Sequence, residues 1–399
     1  MKFDNPINRK LTASEKWDQA ASLFGASDIL PMWVADMDFA APEPVLKALH
    51  SRVDHGVLGY TYPTDSYKAS LAGWMRTRHG YPVEPEWIQH CPGVVPAMGL
   101  IVQAFTEPGD AVVVQSPVYP PFFKVVDGHG RRVALNPLKL GEDGGYTMDF
   151  EDLEKQLSGG DIRMFLLCSP HNPVGRVWSR EELTRLEELL SRYNVLVVSD
   201  EIHADLVHEP GSHIPYPSLS ADAASRTFLC TAPSKTFNIA GLNTANIIIP
   251  NAGLRNRFRK EIQRFFLGSI TPLGMAAAEA AYREGSEWLD ALLPYVKGNL
   301  DYIRGYVGEH LPEISVNIPQ GTYLLWMDFR RLGMNDRELA RFLADKAGLG
   351  LNAGTAFGPG GEGFMRLNAG CPRSMVEEAM RRLHKAMEQW RETEGQPSP

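Results

Sequence analysis

Six short apolar runs in the middle of the chain constrain its fold more than any other feature. Each is strand-sized and ends in turn residues; in order they are DAVVVQSP, RRVALNPL, RMFLLCSP, NVLVVSDE, RTFLCTAP and ANIIIP. Continuous apolar runs of this length are typical of strands that are buried on both faces. Between two of them, SREELTRLEELLSRYN has a capping-box pattern at Ser179 and Glu182, followed by leucines at helical spacing. Strands that alternate with helices predict an α/β fold, with a mainly parallel sheet covered by helices on both faces.

The pattern changes after about residue 285. A long helical stretch, roughly 286 to 311, leads to ISVNIP and TYLLWMDFR, which alternate like half-exposed strands. NDRELARFLADKAG predicts a helix that ends at Gly348, and another helix is predicted near 373 to 392. This order of predicted helices and strands indicates a second, smaller α+β domain. The predicted division is an N-terminal segment, 1–44, that packs with the small domain, a large domain, 45–285, that contains the parallel sheet, and the small C-terminal domain, 286–399.

Composition excludes several classes of partner. The 399 residues carry a formal net charge of -8 with no basic block, so a nucleic-acid surface is not expected. The longest apolar stretches are strand-sized and far too short for a membrane span, and the first residues have no hydrophobic signal core. The four cysteines lie far apart without CxxC spacing. We interpret them as reduced core residues, which predicts a cytoplasmic protein.

Four polar clusters each follow a predicted strand, and they are the candidates for chemistry. They are SPVYPPF at 116 to 122, SPHNPVG at 169 to 175, SDEIHAD at 199 to 205 and SKTFNIAG at 234 to 241. A sheet of this kind binds ligands in the crevice beyond the carboxyl ends of its strands. The four clusters are therefore expected to converge on one crevice.

Asp200 and Lys235 are the chemically most informative pair in these clusters. A lysine in a partly desolvated crevice can lose its proton and attack carbonyls. A buried aspartate needs a cationic partner, and the protonated ring nitrogen of pyridoxal 5'-phosphate (PLP) would provide one. From these two residues alone, a plain Asp–Lys ion pair is the simpler interpretation. A metal site at His203 and His208 is not expected, because no third ligand follows at useful spacing.

The wider pattern resembles the fold-type I PLP enzymes of the aminotransferase class I/II superfamily. Within it, the chain is most similar to the MalY/PatB branch of cystathionine β-lyases and cysteine-S-conjugate β-lyases. The resemblance runs from PMWVADMDF near residue 31 to FMRLNAGCPR ending at 373, and SPHNPVGRVW, SDEIHADL and SKTFNIAGL carry it. It implies a seven-stranded sheet in the large domain, PLP as the cofactor and a homodimer as the active unit.

The resemblance also implies a role for each residue around the cofactor ring. Lys235 matches the Schiff-base lysine, and Asp200 matches the partner of the ring nitrogen. Asn172 would donate to the phenolic oxygen of the ring, in a turn where a cis bond before the next proline is common in the family. Tyr119 matches the aromatic residue that stacks on the ring. His203 stands where many aminotransferases have a tyrosine that reaches the same phenolic oxygen.

The phosphate contacts follow partly from the residues and partly from the resemblance. Gly93 precedes an expected helix start, so the backbone N–H groups of Gly93, Val94 and Val95 offer a site for an anion. Ser234 would add a hydroxyl. Asn243 stands where many aminotransferases carry a phosphate-binding arginine, a departure that is typical of the β-lyase branch.

Two residues are expected to contact the substrate from other parts of the chain. Arg366 in GFMRLNAG matches the arginine that binds the α-carboxylate together with Asn172, although an arginine here could also be a structural salt-bridge partner. Tyr60 in GYTYP matches a tyrosine that reaches the cofactor phosphate or the substrate of the neighbouring subunit. The homodimer is thus expected to have composite active sites.

The resemblance implies a PLP-dependent lyase that cleaves L-cystathionine or related S-substituted L-cysteines to pyruvate, ammonia and a thiol. An aminotransferase would need the same residues and is the alternative. A regulatory role beside the lyase activity, with a protein partner, is a second alternative, because proteins of this branch also act in that way.

Overall fold

A seven-stranded sheet forms the centre of the computed structural model, which describes residues 3–394. The strands lie in the order β2-β10-β9-β8-β7-β3-β4. β10 is antiparallel to both of its neighbours, and the other pairs are parallel. These strands are β2 (Ile88–Cys91), β3 (Ala111–Val114), β4 (Arg132–Leu135), β7 (Ile162–Cys168), β8 (Leu196–Asp200), β9 (Thr227–Thr231) and β10 (Ala245–Ile248). All six apolar runs are strands of this sheet, which confirms the predicted α/β fold.

Helices cover both faces of the sheet, as the capping and spacing patterns indicate. α8 begins with the complete capping box of Ser179 and Glu182, and its four leucines are buried. α5, α6 and α11 pack on one face, and α7, α8 and α9 pack on the other. The helices of the large sheet and its neighbours are α3 (Glu43–Asp54), α4 (Asp65–His79), α5 (Val94–Phe105), α6 (Pro121–Asp127), α7 (Phe150–Leu157), α8 (Arg180–Arg192), α9 (Ala221–Arg226), α10 (Pro233–Thr236), α11 (Ala252–Arg264) and α12 (Pro272–Glu284).

A second, antiparallel sheet follows, with strand order β11-β12-β15-β14. Its strands are β11 (Ser315–Val316), β12 (Leu324–Asp328), β14 (Asn352–Ala353) and β15 (Phe364–Asn368), and its helices are α13 (Ser286–His310), α14 (Asp336–Arg341) and α15 (Arg373–Glu394). A π-helical turn, Phe342–Lys346, continues α14 and ends before Gly348.

The half-exposed pattern predicted for β12 is wrong. Its residues from Leu324 to Met327 are all buried. Leu325 and Met327 belong to the core that α13 and α15 share, whereas Trp326 packs against Phe364 and donates a hydrogen bond to the Tyr146 hydroxyl at 3.1 Å. The face that the pattern assigned to solvent therefore contacts the hairpin of β5 (Lys139–Leu140) and β6 (Tyr146–Thr147).

The N-terminal segment runs along the second sheet before it reaches the first. It contains α1 (Glu15–Asp18), α2 (Ala20–Phe24) and β1 (Leu30–Pro31), and β1 pairs with β13 (Leu349–Gly350) in parallel. Phe3 packs edge-on against Trp288 of α13. The division into 1–44, 45–285 and 286–399 stays a prediction.

Three further features bear on the class of the protein. No helix within residues 3–394 has the length and apolar character that a membrane crossing requires. In the same residues, no group of three or more His, Cys, Asp or Glu side chains is placed to hold a metal ion. All four cysteines are unpaired and buried.

Candidate active site

A cavity of about 290 Å³ opens at the carboxyl edge of the large sheet and collects the polar clusters that follow β7, β8 and β9. We call it the inner cavity. Nine of the predicted site residues line it, namely Gly93, Val94, Val95, Tyr119, Asn172, Asp200, His203, Ser234 and Lys235. The rule that parallel strands deliver their loops to one crevice therefore holds for this chain.

Lys235 lies in α10, the short turn directly after β9. Its Nζ donates a hydrogen bond to the Ala35 carbonyl oxygen at 2.7 Å. Burial, with the nearby positive charge of Arg366, lowers the pKa of Lys235 to about 8. The amine can thus lose its proton close to neutral pH, as a nucleophile or a base must.

Asp200 is the last residue of β8 and is 5% exposed. Its Oδ1 accepts a hydrogen bond from the Ile202 N–H at 3.1 Å. Burial raises the pKa of Asp200 to about 7, although that hydrogen bond and the charge of Lys235 act in the opposite direction. Within the described residues, Asp200 forms no ion pair, so the plain Asp200–Lys235 salt bridge is not present. A buried carboxyl group without a cation is a site for a cationic ligand atom.

The other ring contacts predicted from the motifs also face the inner cavity. Burial, followed by the charges of Lys235 and Arg366, lowers the pKa of His203 to about 3, so its ring is neutral. Among the described residues, the buried Nδ1 of His203 has no hydrogen-bond partner. The bond between Asn172 and Pro173 is cis, as predicted. Tyr119 is half-buried at the wall, and burial raises its pKa.

One end of the inner cavity is suited to a phosphate group. Gly93 caps α5 in an extended conformation, so the first N–H groups of this helix are free of intrahelical partners. Ser234, Asn243 and Thr244 line the same cavity, and none of the arginines that the structure describes does. Asn243 adopts a left-handed conformation with φ 49, in a tight turn between α10 and β10.

Arg366 lies on β15 and reaches a second, connected cavity of about 820 Å³, which we call the outer cavity. Its guanidinium donates to Asn172 Oδ1 at 3.0 Å, to the Trp33 carbonyl at 2.8 Å and to Asn352 Oδ1 at 2.8 Å. Burial lowers the pKa of Arg366 to about 10. No carboxylate pairs with it among residues 3–394, so the structural salt bridge is ruled out there and a ligand carboxylate is the natural counter-ion.

Nearly the whole chain is similar to proteins of one known family. The sequence model described as aminotransferase class I and II matches residues 27–383. The chain belongs to this family. Cystathionine beta-lyase PatB of Bacillus subtilis (strain 168) is 49% identical over 97% of this chain and 100% of that protein. Protein MalY of Escherichia coli (strain K12) is 37% identical over 96% of this chain and 98% of its own. The crystal structure of cystalysin from Treponema denticola, which contains a pyridoxal 5'-phosphate cofactor, has a TM-score of 0.94 and 38% identity over 97% of this chain and 98% of that one.

Tyr60 is the one predicted site residue that neither cavity of its own chain contains. Its side chain is fully exposed, in the segment before α4. The role that the resemblance to the aminotransferase class I and II family gives it requires a second subunit, so it stays a prediction.

The motifs gave no role to the N-terminal residues that close the site. The Ala35 carbonyl accepts from Lys235 and also from the Tyr323 hydroxyl, at 2.9 Å. The Trp33 carbonyl binds Arg366. PMWVADMDF marks this stretch as part of the family resemblance, but a backbone carbonyl that accepts a hydrogen bond cannot be recognised from the residue types. Only the fold shows that this segment lies against the lysine.

Proposed function

We propose that this protein is a PLP-dependent carbon–sulfur β-lyase that cleaves L-cystathionine or related S-substituted L-cysteines to pyruvate, ammonia and a thiol. One observation carries the proposal. Around two connected cavities lie a lysine of lowered pKa, a buried carboxyl group and a buried guanidinium, and neither of the last two has an ion-pair partner among residues 3–394. PLP and an amino acid would supply the missing cation and anion. The full-length similarity to a protein named cystathionine beta-lyase supports the lyase.

The residues present fit PLP. Asp200 would hold the ring nitrogen, and Lys235 would bind the aldehyde carbon. Asn172 and the unpartnered Nδ1 of His203 would face the phenolic oxygen, with Tyr119 against the ring. The phosphate would lie at Gly93, Val94 and Val95 with the Ser234 hydroxyl. When bound, PLP withdraws electrons from the substrate Cα, and an ionised Asp200 strengthens that effect.

The protein's own residues then divide the reaction between them. Arg366 binds the α-carboxylate and, with Asn172, fixes the orientation of Cα. The substrate's amino group would first displace Lys235 from the aldehyde carbon, and the freed amine then removes the Cα proton. In the cofactor-free protein the pKa of this amine is about 8, so a useful fraction is free base at neutral pH. The protonated Lys235 then donates to the departing sulfur as general acid. A leaving group at Cβ favours elimination over transamination, because the sulfur can depart as soon as Cα has lost its proton.

The test supplies L-cystathionine alone, and separately L-alanine or L-aspartate with 2-oxoglutarate. We expect pyruvate and ammonia from the first mixture, without any 2-oxo acid acceptor. Turnover of the second mixture, with no pyruvate from the first, would instead identify an aminotransferase. A regulatory role beside the lyase activity would require a protein partner, and an unchanged regulatory phenotype in an inactive Lys235→Ala variant would reveal it.

We further propose a cytoplasmic homodimer with composite sites. The four buried free thiols suit a reducing compartment. Apolar side chains are exposed in one stretch before α4 and again after α11, and an isolated bridge between Thr61 and Ile270 brings the two stretches together. The exposed residues are Val53, Val57, Leu58, Tyr60, Tyr62, Phe265 and Phe266. Exposed apolar groups of this extent are typical of subunit interfaces.

A further inference from the structure

The outer cavity offers space for a group attached to the substrate sulfur, and its charges can therefore select the substrate. It shares Ala35, Tyr119, Lys235 and Ala240 with the inner cavity, so the two meet at the reacting lysine. Its volume of about 820 Å³ is far larger than a small S-alkyl group requires. A long substituent on sulfur would extend from Lys235 along Trp33 toward the N-terminal segment.

Three charged side chains in the wall of the outer cavity form an ion-pair network with one buried lysine behind them. The Arg9 guanidinium binds Asp36, with Nη2 to Oδ2 at 2.6 Å, and binds Asp38, with Nη1 to Oδ1 at 2.8 Å. Lys16 Nζ lies 2.5 Å from Asp38 Oδ2 and 3.8 Å from Asp36 Oδ1. Two cations and two carboxylates thus form a closed network, which is fully occupied by its own partners.

Among the described residues, three charged groups of this wall have no ion-pair partner: Lys235 and Arg366 at the reacting end of the site, and Glu15, which is the one such carboxylate. It lines the outer cavity at the first position of α1, next to Ser14, which caps that helix. Within residues 3–394 its carboxylate makes no hydrogen bond or ion pair. Glu15 is exposed, and its negative charge acts to raise the pKa of Lys235 and of Tyr119, although burial dominates the pKa of both groups. A free carboxylate therefore faces the space into which the substituent on sulfur extends.

We propose that Glu15 binds a distal cationic group of the substrate. The preferred substrates are then S-substituted L-cysteines whose substituent carries a distal ammonium group, which in L-cystathionine stands beside a carboxylate. Arg366 would bind the α-carboxylate at one end, and Glu15 would attract the ammonium at the other. This inference rests on the proposed lyase function and names the substrate class of that same site.

The test compares two nearly isosteric substrates, S-(2-aminoethyl)-L-cysteine and S-propyl-L-cysteine, which differ in the terminal ammonium. We expect the holoenzyme to favour the amine in kcat/KM, and Glu15→Gln to reduce that preference by about 3- to 10-fold, with S-propyl-L-cysteine unaffected. The preference should fall as ionic strength rises in the wild type but not in the variant, because salt screens the charge. Glu15→Lys should favour S-(2-carboxyethyl)-L-cysteine instead.

Glu151, an exposed acid in the first turn of α7 outside both cavities, provides the matched control as Glu151→Gln. An unchanged amine preference in Glu15→Gln, or an equal loss in Glu151→Gln, would overturn the proposal. If neither substrate undergoes elimination, the proposed lyase function is wrong. Ligand affinities then still test whether Glu15 binds an ammonium group. Calorimetric Kd values for L-lysine and L-2-aminoheptanoate, which lack a leaving group, should then show the same preference and the same loss in Glu15→Gln; equal Kd values would contradict it.

Discussion

Asp200 is subject to opposite demands from folding and from catalysis. In the folded protein without PLP its pKa is about 7, above its ordinary 3.8, so the ionised carboxylate is disfavoured by folding. The resulting loss of stability is absent below about pH 4, grows as the pH rises and is complete above about pH 7. Folding would therefore gain from a neutral residue here, whereas the proposed contact with the cofactor ring needs the charge.

Asp200→Asn should accordingly stabilise the PLP-free protein and inactivate the enzyme. Relative to wild type, its free energy of unfolding should rise by about 1–2 kcal/mol more at pH 8 than at pH 5.5, since only the wild type is charged at the higher pH. Urea unfolding at both pH values measures this difference. A gap that does not change with pH would mean that the carboxyl group has an ordinary pKa in the folded state.

Arg366 should show the value of a planar, two-pronged donor. Arg366→Lys keeps the positive charge but loses the fork that binds a carboxylate. We expect kcat/KM for amino acids to fall by about one to three orders of magnitude, or roughly 1.4–4 kcal/mol, with little change in PLP affinity. Loss of PLP with retained substrate affinity would show that Arg366 serves the cofactor instead.

At the scale of elements, the buried carboxylate of Asp205 anchors the turn that carries Lys235. Asp205 Oδ2 accepts from the Thr236 hydroxyl at 2.7 Å, and Oδ1 lies 2.7 Å from His79 Nε2 and accepts from Trp74 Nε1 at 2.9 Å. Burial alone would raise the pKa of Asp205, but these partners lower it. The carboxylate thus ties α10 to α4, two elements that are far apart in sequence.

Asp205→Asn should loosen this turn. Because the donors around a buried carboxylate lose their charged acceptor, we expect the free energy of unfolding to drop by about 2–4 kcal/mol. The value of kcat should fall more than KM rises, since Lys235 moves while Arg366 stays in place. Thr236→Val removes one donor and serves as the control, with a loss of about 1 kcal/mol. Equal stability of wild type and Asp205→Asn would contradict the role of Asp205.

Most of the strands that the sequence predicted correctly share one property. Five of them are continuous apolar runs and are buried over almost their whole length. The prediction of burial is wrong for β4, where only Ala134 is buried, because this strand lies at the edge of the sheet. β2 was missed because Gln89 and His90 interrupt its apolar pattern.

β12 was predicted to be half-exposed because its apolar and more polar residues alternate along the sequence. Such a pattern does not show whether a neighbouring hairpin covers the second face of the strand. For the same reason the sequence did not reveal the contacts of Ala35 and Trp33. Their backbone carbonyls bind Lys235 and Arg366 only because the fold brings these residues together.

At the scale of the whole molecule, the exposed position of Tyr60 is explained if a second subunit covers it. The side chain is 106% exposed and belongs to the apolar stretch near Phe266, which is 90% exposed. We propose a dimer that buries both stretches and places Tyr60 at the phosphate end of the partner's inner cavity, which no arginine of the described residues lines. Sedimentation of the holoenzyme should therefore show a dimer.

Mixing one impaired and one inactive variant tests whether the site is composite. We expect Tyr60→Ala to lower kcat/KM by about tenfold or more, and Lys235→Ala to abolish turnover. After the two are unfolded together and refolded, about half of the dimers are hybrids, each with one intact site if Tyr60 acts across the interface, so about a quarter of wild-type activity should return. Tyr62→Ala, at a neighbouring exposed tyrosine, should keep its activity without mixing. If Tyr60 serves its own chain, both sites of every hybrid are defective and the mixture gains nothing over its components.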